Sequence, residues 1–182
     1  MTLPILILGD SISAAYGLPL ELGWVELLEE RLRKEKLPYT TVNASISGDT
    51  SAGALRRLPL LLDKYRPDIV IIELGGNDGL RGYPVEQLTR NIKSMIELSI
   101  AAGAEVLVLP MEIPPNMGKP YTDAFRESYR IAIEGTDARL GIFPLEDVAL
   151  NPFLMQEDGI HPTQAAQPKL LENVWIALEQ ML

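Results

Sequence analysis

The sequence predicts an α/β fold in which a parallel β-sheet is covered by helices on both faces. Strand-like and helix-like segments alternate five times along the chain, which is the pattern of this fold class. Several of the strand-like segments are continuous apolar runs, as expected for strands buried on both faces. The 182 residues can bury a sizeable core, and no repeat or linker divides them, so residues 1–182 are expected to form a single domain.

Five segments are predicted as strands because they are short and either apolar or rich in residues that favour strands. The first is a continuous apolar run, and the second is rich in β-branched and aromatic residues. The third is apolar except for Glu73, the fourth is ended by Pro110, and the fifth is short. In chain order the predicted strands are residues 3–8, 39–43, 69–74, 105–109 and 140–143.

Five longer segments are predicted as helices because their apolar residues fall on one stripe. The second begins at a turn where Thr50 or Ser51 can act as the cap, and Pro59 inside it predicts a kink. The last begins near Pro168, a residue that suits the first helical turn. In chain order they are residues 21–36, the segment from the turn at 44–51 to residue 62, residues 85–102, residues 121–134, and the segment from 168 onward.

Residues 75–79 read Gly-Gly-Asn-Asp-Gly, and this pattern has two interpretations. Asn-Asp-Gly is a common hairpin turn. A hairpin needs a partner strand next, but residues 80–84 contain Gly and Pro and are followed by a helical stripe. The turn is therefore interpreted as a loop from the third strand to a helix, from which the amide of Asn77 can project.

Composition excludes several classes of function. Lys and Arg number 16 against 25 Asp and Glu, giving a net charge of −9 that disfavours binding to nucleic acid. The chain has no cysteine, which rules out disulfides, thiolate metal sites and a cysteine nucleophile. No apolar run is long enough for a membrane span, so stable membrane insertion is not expected. His161 is the single histidine, so any chemistry that needs an imidazole depends on it.

Three residues with chemical potential follow three different strands. Ser11 lies in Gly-Asp-Ser-Ile-Ser after the first strand, Gly48 lies after the second, and Asn77 lies after the third. Each alone has an ordinary interpretation as part of a helix cap or a turn. In a parallel sheet with right-handed crossovers, however, all three loops lie at the edge where open α/β folds bind ligands.

Together these residues provide what acyl transfer requires, which is a nucleophile, a base, a group that orients the base, and oxyanion donors. Ser11 is the predicted nucleophile and His161 the predicted base. Asp158, three residues before the histidine, can accept from the imidazole N–H. The backbone N–H groups of Ser11 and Gly48 and the side-chain amide of Asn77 are the predicted oxyanion hole. This chemistry needs no cofactor and no metal.

Other catalytic or cofactor sites fit the sequence less well. The nucleophile elbow of α/β-hydrolases requires glycine two residues after the serine, and Ser13 stands there instead. The glycine fingerprint of dinucleotide-binding folds is absent from the first turn. A catalytic zinc site would have one imidazole and no thiolate.

The motifs resemble the four sequence blocks of the SGNH (GDSL) hydrolases, and the similarity covers nearly the whole chain. Two stretches further resemble one branch, the bacterial multifunctional thioesterase I, also described as an arylesterase and lysophospholipase. The visible departure is Ile12, where the family often has leucine. The blocks are residues 9–13, Gly48, residues 75–78 and residues 158–162, and the branch-specific stretches are residues 43–51 and 73–82.

The resemblance implies a flavodoxin-like three-layer α/β/α sandwich with five parallel strands. It also implies hydrolysis of small-molecule acyl thioesters and of aryl or medium-to-long-chain carboxylic esters. A monomer is expected, located in the periplasm if a leader has been removed from the chain and in the cytoplasm otherwise. From their positions after the third and fourth strands, the predicted walls of the acyl-chain site are Leu80, Tyr83, Ile113 and Pro114.

Two other functions remain as alternatives. A carbohydrate-ester deacetylase of the same family would prefer acetyl groups and would need a polar cleft. A non-catalytic flavodoxin-like module would bind anions at the helix N-termini near Gly9 and Gly48.

Overall fold

The computed structural model describes residues 2–182, and its five strands form one parallel sheet. The strand order is β2-β1-β3-β4-β5, as in flavodoxin-like folds. The predicted fold class and the parallel sheet are therefore confirmed. The strands are β1 (Leu3–Gly9), β2 (Tyr39–Asn43), β3 (Ile69–Glu73), β4 (Glu105–Val108) and β5 (Arg139–Leu140).

Helices cover the sheet in two layers. α1 packs against α6, whereas α2, α4 and α5 pack side by side in a second layer. None of the helices within residues 2–182 combines the length and apolar character that a membrane-spanning helix requires. The helices are α1 (Trp24–Lys34), α2 (Ser51–Tyr65), α3 (Gly76–Leu80), α4 (Val85–Ala101), α5 (Lys119–Ile133) and α6 (Gln167–Leu178).

The core lies on both sides of the central strands β1 and β3. All five residues of β3 are buried, including Glu73. The largest side chains sealed from solvent are aromatic, Trp24 in α1 and Phe125 and Tyr129 in α5. Burial of both faces explains why these strands are continuous apolar runs in the sequence.

The predicted cap of α2 and the predicted place of Pro168 at the start of α6 are confirmed. The side chain of Thr50 accepts a hydrogen bond from the Gly53 N–H at 3.2 Å, so Thr50 is the N-cap of α2. Pro168 lies in the first turn of α6. Pro59 lies inside α2, which continues past it to Tyr65.

Three segments differ from the prediction. Residues 76–80, predicted as a loop, form the short helix α3. The fifth strand covers Arg139–Leu140 rather than residues 140–143. It is an edge strand, and only one more backbone bond follows it toward β4, from the Gly141 N–H to the Val108 carbonyl at 2.8 Å. The predicted loop 111–120 ends early, because α5 begins at Lys119 and takes Pro120 into its first turn.

Candidate active site

Ser11 stands where β1 ends and the chain turns at the carboxyl edge of the sheet. The turn is held by two backbone hydrogen bonds, from Ala14 N–H to the Asp10 carbonyl at 2.9 Å and from Tyr16 N–H to the Ser11 carbonyl at 3.1 Å. Gly9 fits a crowded position, because a Cβ here would lie 2.8 Å from Ser45 Oγ and 2.9 Å from Ser13 Cβ. A larger residue at the end of β1 would therefore force these serine side chains to shift.

The structure brings together the three predicted catalytic side chains, although Ser11 and His161 are 150 residues apart in sequence. The Ser11 hydroxyl lies 2.9 Å from His161 Nε2. On the other side of the ring, His161 Nδ1 lies 2.6 Å from Asp158 Oδ2. With the ring proton on Nδ1, the imidazole accepts from Ser11 and donates to Asp158, as a serine-activating base must.

The short loop around Asp158 fixes the orientation of this carboxylate. Its Oδ1 accepts from the backbone N–H groups of Ile160 at 2.9 Å and His161 at 3.0 Å. Gly159 permits the tight turn, with φ of +67°. The hydrogen bond from the His161 ring, followed by these backbone bonds, lowers the pKa of Asp158 to about 2. The carboxylate therefore stays ionised wherever the enzyme is folded at ordinary pH.

Two further residues position the histidine, and the sequence analysis did not identify them. The Tyr16 ring lies against the His161 ring, with centroids 4.2 Å apart and planes tilted by 34°. The Gln156 side-chain amide donates to the carbonyls of Tyr16 and Pro162, each at 2.9 Å. Both contacts join the first turn to the His161 loop across about 140 residues, so no local spacing in the sequence signals them.

The predicted oxyanion donors lie on the same edge. Within residues 2–182, neither the Ser11 N–H nor the Gly48 N–H donates to a backbone carbonyl. Gly48 has φ of +81°, and in the described part of the chain no atom beyond its own chain neighbours lies within 4 Å of the place a Cβ would take. The Asn77 amide donates to the Asp49 carbonyl at 2.9 Å, and its nitrogen also lies 3.4 Å from Asp10 Oδ2.

Two arginines hold the turn that carries Gly48. Arg57 from α2 donates to Asp49 Oδ2 at 2.9 Å and also contacts the Ala44 carbonyl. Arg81, which follows α3, donates to the Gly48 carbonyl at 3.3 Å. The turn is thus tied to the two elements that flank it, and the Asn77 amide donates to its Asp49 carbonyl.

Residue Asp78, next to Asn77, fixes the start of α2. Its carboxylate accepts from the Ser51 N–H at 2.8 Å and from the Ser51 hydroxyl at 2.7 Å. Asn91 in α4 donates to the same hydroxyl at 2.9 Å. This buried network sets the position of α3 relative to α2, and with it the direction of the Asn77 side chain.

The four predicted acyl-site residues differ in exposure. Leu80 and Tyr83 are each 41% exposed, and Pro114 is also exposed. Ile113 is buried. A Cβ added at Gly79 would lie 2.5 Å from Ile113 Cγ2, so the Ile113 side chain packs against α3. Tyr121 Oη donates to the Tyr83 carbonyl at 2.6 Å and connects α5 to the segment after α3.

Comparison with known proteins places this geometry in a family. Residues 7–167 match the model of the GDSL-like lipase/acylhydrolase family. The chain is 52% identical to esterase TesA of Pseudomonas aeruginosa over 98% of this chain and 89% of that protein. It is 42% identical to thioesterase 1/protease 1/lysophospholipase L1 of Escherichia coli K12 over 95% of this chain and 81% of that protein.

A solved structure agrees with the fold. The crystal structure of the psychrotrophic esterase EstA from Pseudoalteromonas sp., inhibited by monoethylphosphonate, superposes with a TM-score of 0.94. The two chains are 44% identical, and the match covers 98% of this chain and 97% of that one. The three-layer arrangement inferred from the sequence blocks is therefore confirmed at the level of the fold.

Proposed function

The chain belongs to the GDSL-like lipase/acylhydrolase family, and we propose that it is a serine hydrolase that cleaves carboxylic esters and acyl thioesters through an acyl-enzyme on Ser11. The observation that carries this proposal is the continuous hydrogen-bonded series from the Ser11 hydroxyl through His161 to Asp158. The N–H groups of Ser11 and Gly48 support it, because within residues 2–182 neither donates to a backbone carbonyl and a tetrahedral intermediate needs such donors.

Acylation begins when His161 Nε2 takes the proton of Ser11 as Oγ attacks the carbonyl carbon. The carbonyl electrons move to the oxygen, which the N–H groups of Ser11 and Gly48 and the Asn77 amide stabilise. Asp158 stabilises the imidazolium that forms. His161 then gives its proton to the departing alcohol or thiol, and the acyl group stays on Ser11.

Deacylation repeats these steps with water as the nucleophile. His161 removes a proton from the water as it attacks the acyl carbon, and the same donors stabilise the second oxyanion. Collapse of the intermediate returns the proton to Ser11 Oγ and releases a carboxylic acid. Apart from the substrate and this water, the steps use only groups of the protein.

The names of the relatives support a range of acyl substrates. One relative is named an esterase, and another is named a thioesterase and a lysophospholipase. We therefore propose that the acyl part of the substrate is bound mainly by apolar surface, and that the alcohol or thiol part varies. The partly exposed side chains of Leu80 and Tyr83, on the segment after Asn77, support a site for an acyl chain longer than acetyl.

The first experiment tests the nucleophile. Treatment with a fluorophosphonate followed by mass spectrometry should add one phosphonyl group, on Ser11. Ser11→Ala and His161→Ala should lower kcat by ~10⁴–10⁶-fold toward p-nitrophenyl esters and acyl-CoAs. Ser99→Ala is the matched control, because this buried hydroxyl bonds the Met95 carbonyl of its own helix. Failure to label Ser11, together with tight phosphate binding, would favour the non-catalytic anion-binding module.

The second experiment tests the acyl-chain site. Replacing Leu80 or Ile113 by a polar residue should shift the preferred acyl-chain length. The measurement uses a series of p-nitrophenyl esters whose acyl groups range from acetyl to long chains. Because Leu80 is exposed, Leu80→Ser should change specificity without loss of stability, whereas the same change at buried Ile113 should also lower Tm. An unchanged chain-length profile in both variants would contradict these walls. A wild-type preference for acetyl esters would favour the carbohydrate-ester deacetylase.

We also propose that residues 1–182 act as one catalytic domain and as a monomer. Light scattering after gel filtration should give a mass near 20.1 kDa. A periplasmic location is proposed for a chain made with a removable leader, and a cytoplasmic location otherwise. Fractionation of the source cells distinguishes the two.

A further inference from the structure

Two carboxyl groups lie buried next to each other beneath the turn that carries Ser11. Asp10 follows β1 and is 2% exposed, and Glu73 ends β3 and is 0% exposed. The two strands are neighbours, and Gly9 is paired in register with Glu73. The proposed triad and oxyanion hole use neither carboxyl, although both lie within one residue of a strand end at the site.

The hydrogen bonds leave one of the four carboxyl oxygens without a donor. Glu73 Oε1 accepts from the Ser13 hydroxyl at 2.6 Å and from the Ser13 N–H at 3.1 Å. Asp10 Oδ1 accepts from the Ile12 N–H at 3.0 Å, and its Oδ2 lies 3.4 Å from the Asn77 amide nitrogen. Glu73 Oε2 is buried and has no hydrogen-bond partner among donors of residues 2–182.

The pair has no cationic partner within residues 2–182. Among residues 2–182, neither Asp10 nor Glu73 takes part in an ion pair. Arg57 reaches the Gly9 carbonyl at 3.5 Å, but its charge is paired with Asp49. Two adjacent buried carboxylates without a cation repel each other and lose their hydration, so such a pair retains a proton.

The surroundings decide which carboxyl holds that proton. Burial, followed by the charge of Asp10, raises the pKa of Glu73 well above its ordinary value. Burial also raises the pKa of Asp10, to about 6, but the Ile12 N–H and the hydrogen bond with Glu73 counteract the rise. Asp10 also lies near His161, whose imidazolium form favours a negative charge on it. Asp10 is therefore the member that ionises first.

The other titratable groups around the pair do not change this assignment. Asp49 acts on Asp10 as a like charge. Tyr129 faces the pair from α5, and burial raises its pKa well above the ordinary value, so its phenol stays neutral. Its hydroxyl donates to the Leu74 carbonyl at 2.8 Å and is not available to either carboxyl.

We propose that Glu73 is a positioning residue of the hydrolytic site, whose carboxyl proton on Oε2 is donated to Asp10. This bond gives the orphaned oxygen a partner and keeps Asp10 as the single negative charge of the pair. The Asp10 carboxylate then orients the Ile12 N–H, next to Ser11. Glu73 thus holds the nucleophile turn at two points, before Ser11 through Asp10 and after Ser11 through Ser13.

Infrared spectroscopy tests the proton itself and does not depend on hydrolysis. At pH 7 the wild-type spectrum should contain the C=O stretch of a protonated carboxyl, and Glu73→Gln should remove it. Asp123→Asn is the control, because Asp123 lies at the surface in an ion pair with Lys119, and this variant should keep the band. Absence of the band from the wild type, or its persistence in Glu73→Gln, would overturn the proposal.

Kinetics test the positioning role, and this part rests on the proposed function. Glu73→Leu removes both the donor to Asp10 and the acceptor for Ser13, and should lower kcat by about tenfold or more with little change in KM. Glu73→Gln keeps both bonds and should restore kcat to within about threefold of wild type. Equal kcat in the two variants would overturn the role. If Glu73→Leu does not fold by circular dichroism, the infrared comparison decides. If fluorophosphonate labels no residue, the hydrolase assignment fails while the infrared result stands.

Discussion

At the residue scale, the orientation of each proposed catalytic group is set by a neighbour rather than by its own backbone. The Asp158 carboxylate is held by two backbone N–H groups, and the His161 ring is held by that carboxylate and by the ring of Tyr16. Sequence spacing predicted Asp158 as the partner of His161, because a turn through glycine brings residues three apart together. It could not predict Tyr16 or Gln156, which contact the His161 loop through the fold.

The rate of hydrolysis should rise from acidic to neutral pH. Only the neutral imidazole can take the proton of Ser11, and Asp158 is already ionised in this range because its pKa is about 2. The measurement is kcat/KM for a p-nitrophenyl ester between about pH 5 and 8. A flat profile would contradict a histidine base.

Loss of the Asn77 amide should slow the chemical step. Asn77→Ala removes one donor to the oxyanion and should lower kcat by about 10²–10³-fold, with a smaller effect on KM. Asn173→Ala is a matched control, since that buried amide donates to the carbonyls of Pro144 and Glu146 and takes no part in the network around Asn77. Equal losses of kcat in both variants would indicate that the effect of Asn77→Ala comes from disturbed packing.

At the element scale, the connection after β3 shows where sequence patterns reach their limit. The sequence correctly excluded a hairpin, because a helical stripe and not a strand follows. The short helix α3 was missed, because its start depends on Gly75 with φ of +115° and on the Tyr129 hydroxyl from α5. A contact 54 residues away in the chain therefore shapes the segment that presents Asn77.

Gly75→Ala should destabilise the protein by about 1–3 kcal/mol. The new Cβ would lie 2.1 Å from Tyr129 Oη, in addition to the strain of a left-handed backbone. Gly103→Ala is the matched control, because Gly103 has a similar φ of +92° but no atom within 4 Å of the added Cβ. Urea denaturation of both variants separates the cost of the contact with Tyr129 from the cost of the left-handed backbone. A loss at Gly75 no larger than that at Gly103 would show that Tyr129 moves aside at little cost.

At the scale of the whole molecule, the fold concentrates polar groups at one end of an otherwise apolar sheet. The carboxyl ends of β1, β2 and β3 place Ser11, Gly48 and Asn77 together, and the loop before α6 returns His161 to them. The same convergence encloses Asp10 and Glu73. The stability of the molecule should therefore depend on the protonation of carboxyl groups that are exposed when the chain unfolds.

The free energy of unfolding should fall as pH rises from about 4 to 6. The pKa of Asp10 is about 6 in the folded protein against an ordinary 3.8, so the folded state binds more protons than the unfolded state in this window. Glu73, whose folded pKa is also raised, adds to this fall in stability and extends it to higher pH. Asp158 acts oppositely, and its contribution is lost as pH falls from about 4 to 2.

Urea denaturation at several pH values measures this slope. Because Glu73→Gln removes one of the two groups, its stability should fall less with pH than that of the wild type. Asp123→Asn, at the surface, should run parallel to the wild type. Identical slopes for Glu73→Gln and the wild type would contradict proton binding by the buried pair.

The sequence by itself determined the fold class, the approximate positions of all five strands, and the identity of the proposed triad. It could do so because hydrophobic periodicity is local and because a single histidine left one candidate base. Only the tertiary structure decided that Tyr16 and Gln156 hold the imidazole, that residues 76–80 form a helix, and that Glu73 meets Asp10 below the nucleophile. These features depend on contacts between distant segments, and the energy of such contacts is fixed by distance and burial in the folded chain.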